Sequence, residues 1–332
     1  MTVPMPLAVS LGDPAGIGPE VIAKAWERRE SDAVPPFFAV GDCASLAAVW
    51  DGPVQAITDP SEARRVFKKA LPVIRAGGGG SIVPGSPDLD GARTALDSLE
   101  LAVGLARSGP ASGLVTGPVS KAQLYAIGFV HAGQTEFVAE RCGVSSDRVA
   151  MMLVGPGLRT VPVTVHLALR DVMEALTVDR IVAKARVTVR GLQRQFGIEA
   201  PRIAVAGLNP HAGEDGALGR EEIDIITPAI ARLREEGFDV EGPLAPDTMF
   251  HERARVQYDA ALCMYHDQAL VPLKTLYFDE GVNMTLGLPI VRTSPDHGTA
   301  FAIAGKNRAH PGAMIAALKT AASAARRISA AA

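Results

Sequence analysis

Short apolar runs alternate with longer segments of helical spacing along this chain. Leu7-Ala8-Val9-Ser10-Leu11 reads as a strand, and a Gly/Pro turn then leads into a helix from about Pro19 to Arg29. Phe37-Phe38-Ala39-Val40 and a helix over 44–50 repeat the pattern. Between residues 92 and 107, Leu96, Leu99, Val103 and Ala106 recur at helical intervals. Residues 113–116 read as another strand, 179–196 and 221–236 as helices, 282–286 and 289–293 as extended, and 310–331 as a closing helix. Strands separated by helices imply βαβ units and a mostly parallel sheet. One segment departs from this: Met151 to Val154 and Leu158 to Val165 flank Gly155-Pro156-Gly157 and predict a hairpin. The expected class is therefore α/β with a mixed sheet. A chain of 332 residues exceeds what one core serves, so two lobes are expected. Gly77 to Gly80 with Ser81 reads as a flexible surface loop.

Three histidines each lie just past one of the apolar runs. His166 ends Thr164-Val165-His166, His211 follows Asn209-Pro210, and His266 follows Met264-Tyr265. In an open α/β sheet, ligands gather beyond the carboxyl ends of the strands. Three imidazoles delivered there suit a catalytic metal, which takes three protein ligands and keeps one position open. Taken singly, each His is more simply a hydrogen-bonded loop or core residue.

Composition narrows the function classes. Apolar residues make up 48% and charged residues 21%, and the net charge of −3 draws the chain to neither nucleic acid nor anionic membrane. With 5% aromatic residues there is no platform for stacking bases. No stretch reaches the length of a membrane span, and the N-terminus lacks the features of a signal peptide. Cys43, Cys142 and Cys263 are widely spaced and odd in number, which fits a reduced, cytoplasmic protein. The alanine-rich tail suggests a GC-rich genome rather than a mechanism.

Other motifs carry chemistry with a plainer alternative beside each. Gly12-Asp13-Pro14-Ala15-Gly16-Ile17-Gly18-Pro19-Glu20 joins a strand to a helix. Its free N–H groups suit an anion, or it is a tight turn without a ligand. Thr116-Gly117-Pro118-Val119-Ser120-Lys121 adds a cation to the same logic, or is a capped helix start. Lys274, Asn283 and Arg292 stand as single polar residues in or beside apolar stretches, and together suit a phosphate or carboxylate. Asp247, in a Pro-rich loop, suits a positioned acid–base group or a helix cap. The loop Ser294-Pro295-Asp296-His297-Gly298-Thr299-Ala300, running on to Gly305-Lys306, suits backbone contacts to a cofactor's ribose or adenine, or is an ordinary loop.

Taken together, GDPAGIGPE at 12–20, TGP at 116–118, LNPHAG at 208–213, MYHDQ at 264–268 and NMTLGLP at 283–289 resemble the 4-hydroxythreonine-4-phosphate dehydrogenases. Arg292-Thr293-Ser294 and Asp296 to Ala300 extend the similarity, which covers nearly the whole chain. The resemblance implies a two-lobed α/β/α subunit of the isocitrate/isopropylmalate dehydrogenase type, with the active site in the interlobe cleft. It puts one lobe, the cofactor side, at about 1–130 and 280–332, and the other, with the metal site and dimer contacts, at about 131–279.

It also implies oxidation of 4-phosphooxy-L-threonine by NAD or NADP, followed by decarboxylation to 3-amino-2-oxopropyl phosphate, a precursor of pyridoxal phosphate. The implied metal ligands are His166, His211 and His266, the third supplied by the partner subunit of a homodimer. Zn²⁺ suits three imidazoles first, with Co²⁺ or Mg²⁺ as the other candidates. The implied substrate-binding residues are Gln134, Thr135, Lys274, Asn283 and Arg292, with Asp247 as the base. Asp296, His297, Gly298, Thr299 and Gly305 are the implied cofactor residues. Neither nucleic acid nor membrane is an expected partner.

One position departs from the family, which usually has His where this chain has Gln134 in Gly133-Gln134-Thr135-Glu136. Glutamine keeps a donor and an acceptor but carries no titratable proton. Relatives acting on D-threonate or D-erythronate 4-phosphate share the rest of the site, so such a substrate is an alternative. A metal-dependent hydrolase and a non-catalytic phosphometabolite binder are two further ones.

Overall fold

A computed structural model describes residues 5–78 and 82–331. Gly79, Gly80 and Ser81 of the expected flexible loop therefore lie outside the described residues. The strands are β1 (Leu7–Ser10), β2 (Phe37–Gly41), β3 (Val54–Ala56), β4 (Leu71–Arg75), β5 (Leu114–Thr116), β6 (Ala150–Gly155), β7 (Leu158–Pro162), β8 (Arg202–Ala206), β9 (Asp239–Leu244), β10 (Ala260–Cys263), β11 (Val282–Leu286) and β12 (Arg292–Pro295). The helices are α1 (Gly18–Glu27), α2 (Cys43–Ala47), α3 (Ala63–Phe67), α4 (Leu89–Ser108), α5 (Lys121–Ala126), α6 (Gln134–Arg141), α7 (Leu169–Ala175), α8 (Val178–Gly191), α9 (Thr227–Glu235), α10 (Glu252–Arg255), α11 (His266–Tyr277) and α12 (Gly312–Ala331).

The chain divides into two compact units, Met1–Gly143 with Leu288–Ala332, and Val144–Gly287. In the first, the strands run β3-β4-β2-β1-β5-β12 and are all parallel. Every residue of β1, β2 and β5 is buried, as parallel strands covered on both faces require. Helix α4 is capped by Asp88, whose side chain accepts the Gly91 N–H at 2.7 Å, and it ends at Gly109 with φ +98°. The alanine-rich α12 is a packing helix: Ala317, Ala321 and Ala324 are buried along it, and Thr293 of β12 donates to the Ala317 carbonyl at 2.9 Å. Small side chains let it lie close to the strands, a cause that composition alone did not suggest.

In the second unit the order is β11-β6-β7-β10-β8-β9. The predicted hairpin is β6–β7, antiparallel, with β11 antiparallel on its other side. Strands β7, β10, β8 and β9 are parallel. A core of Leu153, Leu158, Ala204, Ala261, Leu270 and Leu273 packs beneath this part of the sheet.

Two boundaries differ from the sequence expectation. The units divide after Gly143 and Gly287, not near 130 and 280. Helix α6 is tied into the first unit by Arg141, bonded to Glu100 of α4, and by Phe137, stacked near Phe129. Strand β11 pairs with β6 and so belongs to the second unit. The run expected to be extended over 289–293 becomes strand only at Arg292, because Gly287 turns the chain at φ +88° and Pro289 follows.

Candidate active site

The four adjacent parallel strands of the second unit each deliver one predicted residue just past the carboxyl end. His166 follows β7, His266 follows β10, His211 follows β8 and Asp247 follows β9. His166 and His211 are exposed and His266 is half-buried. The rings of His166 and His266 lie 6.0 Å apart, centre to centre. The Nδ1 of His266 is 2.7 Å from Asp267 Oδ1. A carboxylate on one ring nitrogen leaves the other available as a ligand, the usual partnership of a metal-binding histidine. The donor set and the strand-end placement thus suit a divalent metal. Among the described residues, no three His, Cys, Asp or Glu side chains gather closely enough within one chain to hold an ion.

The backbone here is held in uncommon conformations. His166 has φ +54°, and residues 211 to 215 have φ values of +51°, +51°, +83°, +44° and +53°. Each non-glycine residue so placed costs about 1–3 kcal/mol and persists only where its surroundings fix it. Buried polar side chains provide that support. Gln268 Oε1 accepts the Met264 N–H at 2.6 Å, and its Nε2 donates to the Gly207 carbonyl at 2.7 Å. Thr164 Oγ1 donates to the Met264 carbonyl at 2.8 Å. Glu222 Oε1 accepts the N–H groups of Leu208 and Asn209, both at 2.7 Å. Thr164, Gln268, Glu222 and Asn209 were not singled out in the sequence. No spacing marks a polar residue that acts through backbone groups distant along the chain.

Asp247 sits in an exposed turn, and the helix-cap alternative does not hold: α10 begins after His251, and Thr248 supplies the local bonds to Ala245. Lys274 is half-buried on α11. Asn283, on β11, carries a buried Oδ1 that accepts no hydrogen bond from the described residues. Such an acceptor suits a donor on a ligand.

In the first unit, the structure brings Arg292, Thr135, Gln134 and Thr116 together. Arg292 is 3% exposed, and burial lowers its pKa to about 10, so it remains a cation at neutral pH. Its Nη2 donates to Thr116 Oγ1 at 2.8 Å, and its Nη1 lies 3.4 Å from Thr135 Oγ1. Gln134 Oε1 is 3.5 Å from the same guanidinium, while Gln134 Nε2 donates to the Gly117 carbonyl at 3.0 Å. A desolvated guanidinium beside the first turn of α6 suits an anionic group. Lys121 opens α5, which Ser120 caps through the Gln123 N–H, so the capped-helix alternative describes this motif.

The 12–20 motif acts as a buttress, with four of its N–H groups committed: Asp13 to the Pro118 carbonyl, Ala15 to the Asp13 carboxylate, Gly16 to the Asp13 carbonyl and Ile17 to the Thr299 carbonyl. Glu20 accepts the Ala309 N–H at 2.9 Å, and Lys24 donates to the Ala309 carbonyl at 2.9 Å. The motif therefore supports the loop that carries Asp296, His297, Gly298, Thr299 and Gly305. On that loop His297 Nδ1 contacts the Gly298 carbonyl, and its buried Nε2 has no partner among the described residues. An unpartnered imidazole nitrogen and nearby backbone groups suit a nucleotide cofactor.

Among the described residues, no helix is long and apolar enough to cross a membrane. The family profile described as pyridoxal phosphate biosynthetic protein PdxA matches residues 35–321. A protein of Zymomonas mobilis named 4-hydroxythreonine-4-phosphate dehydrogenase is 60% identical over 320 residues, covering 96% of each chain. One of the same name from Erythrobacter litoralis is 55% identical, covering 94% of each. The crystal structure of a 4-hydroxythreonine-4-phosphate dehydrogenase from Klebsiella pneumoniae matches with a TM-score of 0.85 at 36% identity, covering 98% of this chain and 99% of that one.

Proposed function

The chain belongs to the family of the pyridoxal phosphate biosynthetic protein PdxA, and from that premise we propose that it oxidises 4-phosphooxy-L-threonine with NAD or NADP. The substrate's secondary hydroxyl becomes a ketone, its hydrogen leaving as hydride to the nicotinamide and its proton to a base. The β-keto acid then loses CO₂ to give 3-amino-2-oxopropyl phosphate. The supporting observation is the row of four parallel strand ends carrying His166, His266, His211 and Asp247.

His166, His211 and His266 would hold one divalent metal, Zn²⁺ first, then Co²⁺ or Mg²⁺, with one imidazole contributed across a homodimer. When bound, such an ion makes an alcohol more acidic and polarises a ketone. Asp247, at an exposed turn, takes the hydroxyl proton. Arg292, Thr135 and Gln134, with Lys274 and Asn283, bind the phosphate and the other polar groups of this small substrate. They thereby orient the carbon that gives up hydride. Asp296, His297, Gly298, Thr299 and Gly305 hold the dinucleotide. The setting is the cytoplasm, with neither membrane nor nucleic acid involved.

The test is a substrate comparison at the NADH absorbance, using 4-phosphooxy-L-threonine, D-threonate 4-phosphate and D-erythronate 4-phosphate, each with NAD and NADP. Preferred turnover of the first supports the assignment. Turnover confined to the sugar acids would move the enzyme to that substrate class. Phosphate release without NAD(P)H would make it a hydrolase.

A further inference from the structure

Within Pro210–Gly216, the five residues 211–215 form a short left-handed turn that presents His211, and Glu222 packs against it. Glu222 is 3% exposed and opens a single π-helical turn, Glu222–Ile226. Its Oε1 accepts the N–H groups of Leu208 and Asn209 at 2.7 Å, and its Oε2 accepts Asn209 Nδ2 at 2.9 Å. The same Asn209 amide donates to Glu221 Oε2 at 2.7 Å. A Cβ on Gly213 would come within 2.6 Å of Glu222 Oε2, and one on Gly207 within 3.1 Å of Oε1. The carboxylate therefore touches the chain on both sides of His211.

We propose that Glu222 is a positioning residue for His211, holding the left-handed turn in the conformation that makes its imidazole a metal ligand. A carboxylate is suited to this because it only accepts, and the Leu208 N–H, Asn209 N–H and Asn209 Nδ2 that bond to it are all donors. Glutamine has nearly the same shape but would set an NH₂ against an N–H. Asn209 acts with it as the link between Glu221 and Glu222. Interactions that orient a ligand from behind typically change metal affinity by about 10–100-fold when removed. This inference rests on His211 being a metal ligand.

The experiment uses the full-length protein stripped of metal and titrated with Co²⁺. Binding is read by calorimetry and by visible absorption, which reports coordination geometry, with far-UV circular dichroism and thermal melting as fold controls. Wild type should bind Co²⁺. Glu222→Gln should keep the fold, bind about 10–100-fold more weakly and show altered visible bands. Asn209→Ala keeps both backbone bonds to Glu222 and should bind about tenfold more weakly. If Glu222→Gln fails to fold, Asn209→Ala decides: wild-type affinity and spectrum there would overturn the proposal. Wild-type affinity and spectrum in a folded Glu222→Gln would overturn it too. If the wild type itself binds no Co²⁺, the metal assignment fails first and this inference falls with it.

Discussion

Gln134 donates through Nε2 to the Gly117 carbonyl at 3.0 Å, which turns its Oε1 toward the Arg292 guanidinium. The side chain thus sits between the TGP turn and the buried cation. It can bind and orient there, but it cannot exchange a proton. Gln134→Ala should therefore raise KM about 5- to 30-fold, the value of one or two hydrogen bonds to a charged site, and change kcat far less. Gln134→His should remain active and acquire at most a pH dependence near neutrality. Steady-state kinetics of both variants decide. A collapse of kcat in Gln134→Ala at unchanged KM would show that Gln134 acts in the chemistry.

His166 and His266 lie close together within one chain, so it matters whether one chain supplies the whole metal set. His166→Ala and His266→Ala should each lose bound metal and activity while remaining folded. If the site is shared across a dimer, a heterodimer of the two variants contains one intact site and one doubly damaged site. After unfolding and random reassembly, half the dimers are mixed, so activity should return to about one quarter of wild type. No return of activity, with heterodimers demonstrated by mass spectrometry, would place all three ligands in a single chain.

Asp13 gives a pH prediction that is independent of catalysis. It is 1% exposed, and burial pushes its carboxyl up to about 6 from an ordinary 3.8, against the Ala15 N–H bond and with the Asp88 carboxylate adding to the rise. The folded state then holds this proton more tightly than the unfolded state. Stability from this group is complete below about pH 4 and is lost as pH rises toward and through 6. Asparagine keeps the acceptor for Ala15 and has no proton to lose. The stability of Asp13→Asn relative to wild type should rise by up to about 3 kcal/mol between pH 4 and pH 7. Urea melts at several pH values measure it, and a flat difference would mean that the carboxyl is not desolvated.

Local rules made much of the fold legible. The runs at Leu7, Phe37, Ile203 and Ala260 are short, apolar and followed by turns, and each is a buried strand. The hairpin was visible because Gly155-Pro156-Gly157 punctuates it. Helix α11 was not visible, since Pro272 inside it breaks the usual pattern and its stability comes from Ala269, Leu270 and Leu273 packed into the core. The left-handed turn at 211–215 was equally hidden, because no local preference favours it and its support is Glu222, several residues further along. The candidate histidines could be named from position alone. What orients them is tertiary: Met264, bonded to both Gln268 and Thr164, is an ordinary apolar residue in the sequence.

Gly16 tests the buttress under the Asp296–Gly305 loop. Next to it, the Ile17 N–H donates to the Thr299 carbonyl at 2.9 Å, and a Cβ on Gly16 would lie 3.0 Å from the Thr299 oxygen and 3.1 Å from its Cβ. The φ of Gly16 is not in the left-handed region, so alanine adds bulk without backbone strain. Thr299 must yield by a few tenths of an ångström, which shifts the loop proposed to hold the dinucleotide. Binding geometry is sensitive on that scale, so Gly16→Ala should raise the KM for NAD or NADP roughly 3- to 10-fold, about 1 kcal/mol. The KM for 4-phosphooxy-L-threonine, read at saturating cofactor, should stay close to wild type, because Arg292 and Thr135 do not touch Gly16. The separation of the two constants carries the test. An unchanged cofactor KM beside a raised substrate KM would show that this loop serves the substrate and that the dinucleotide binds elsewhere.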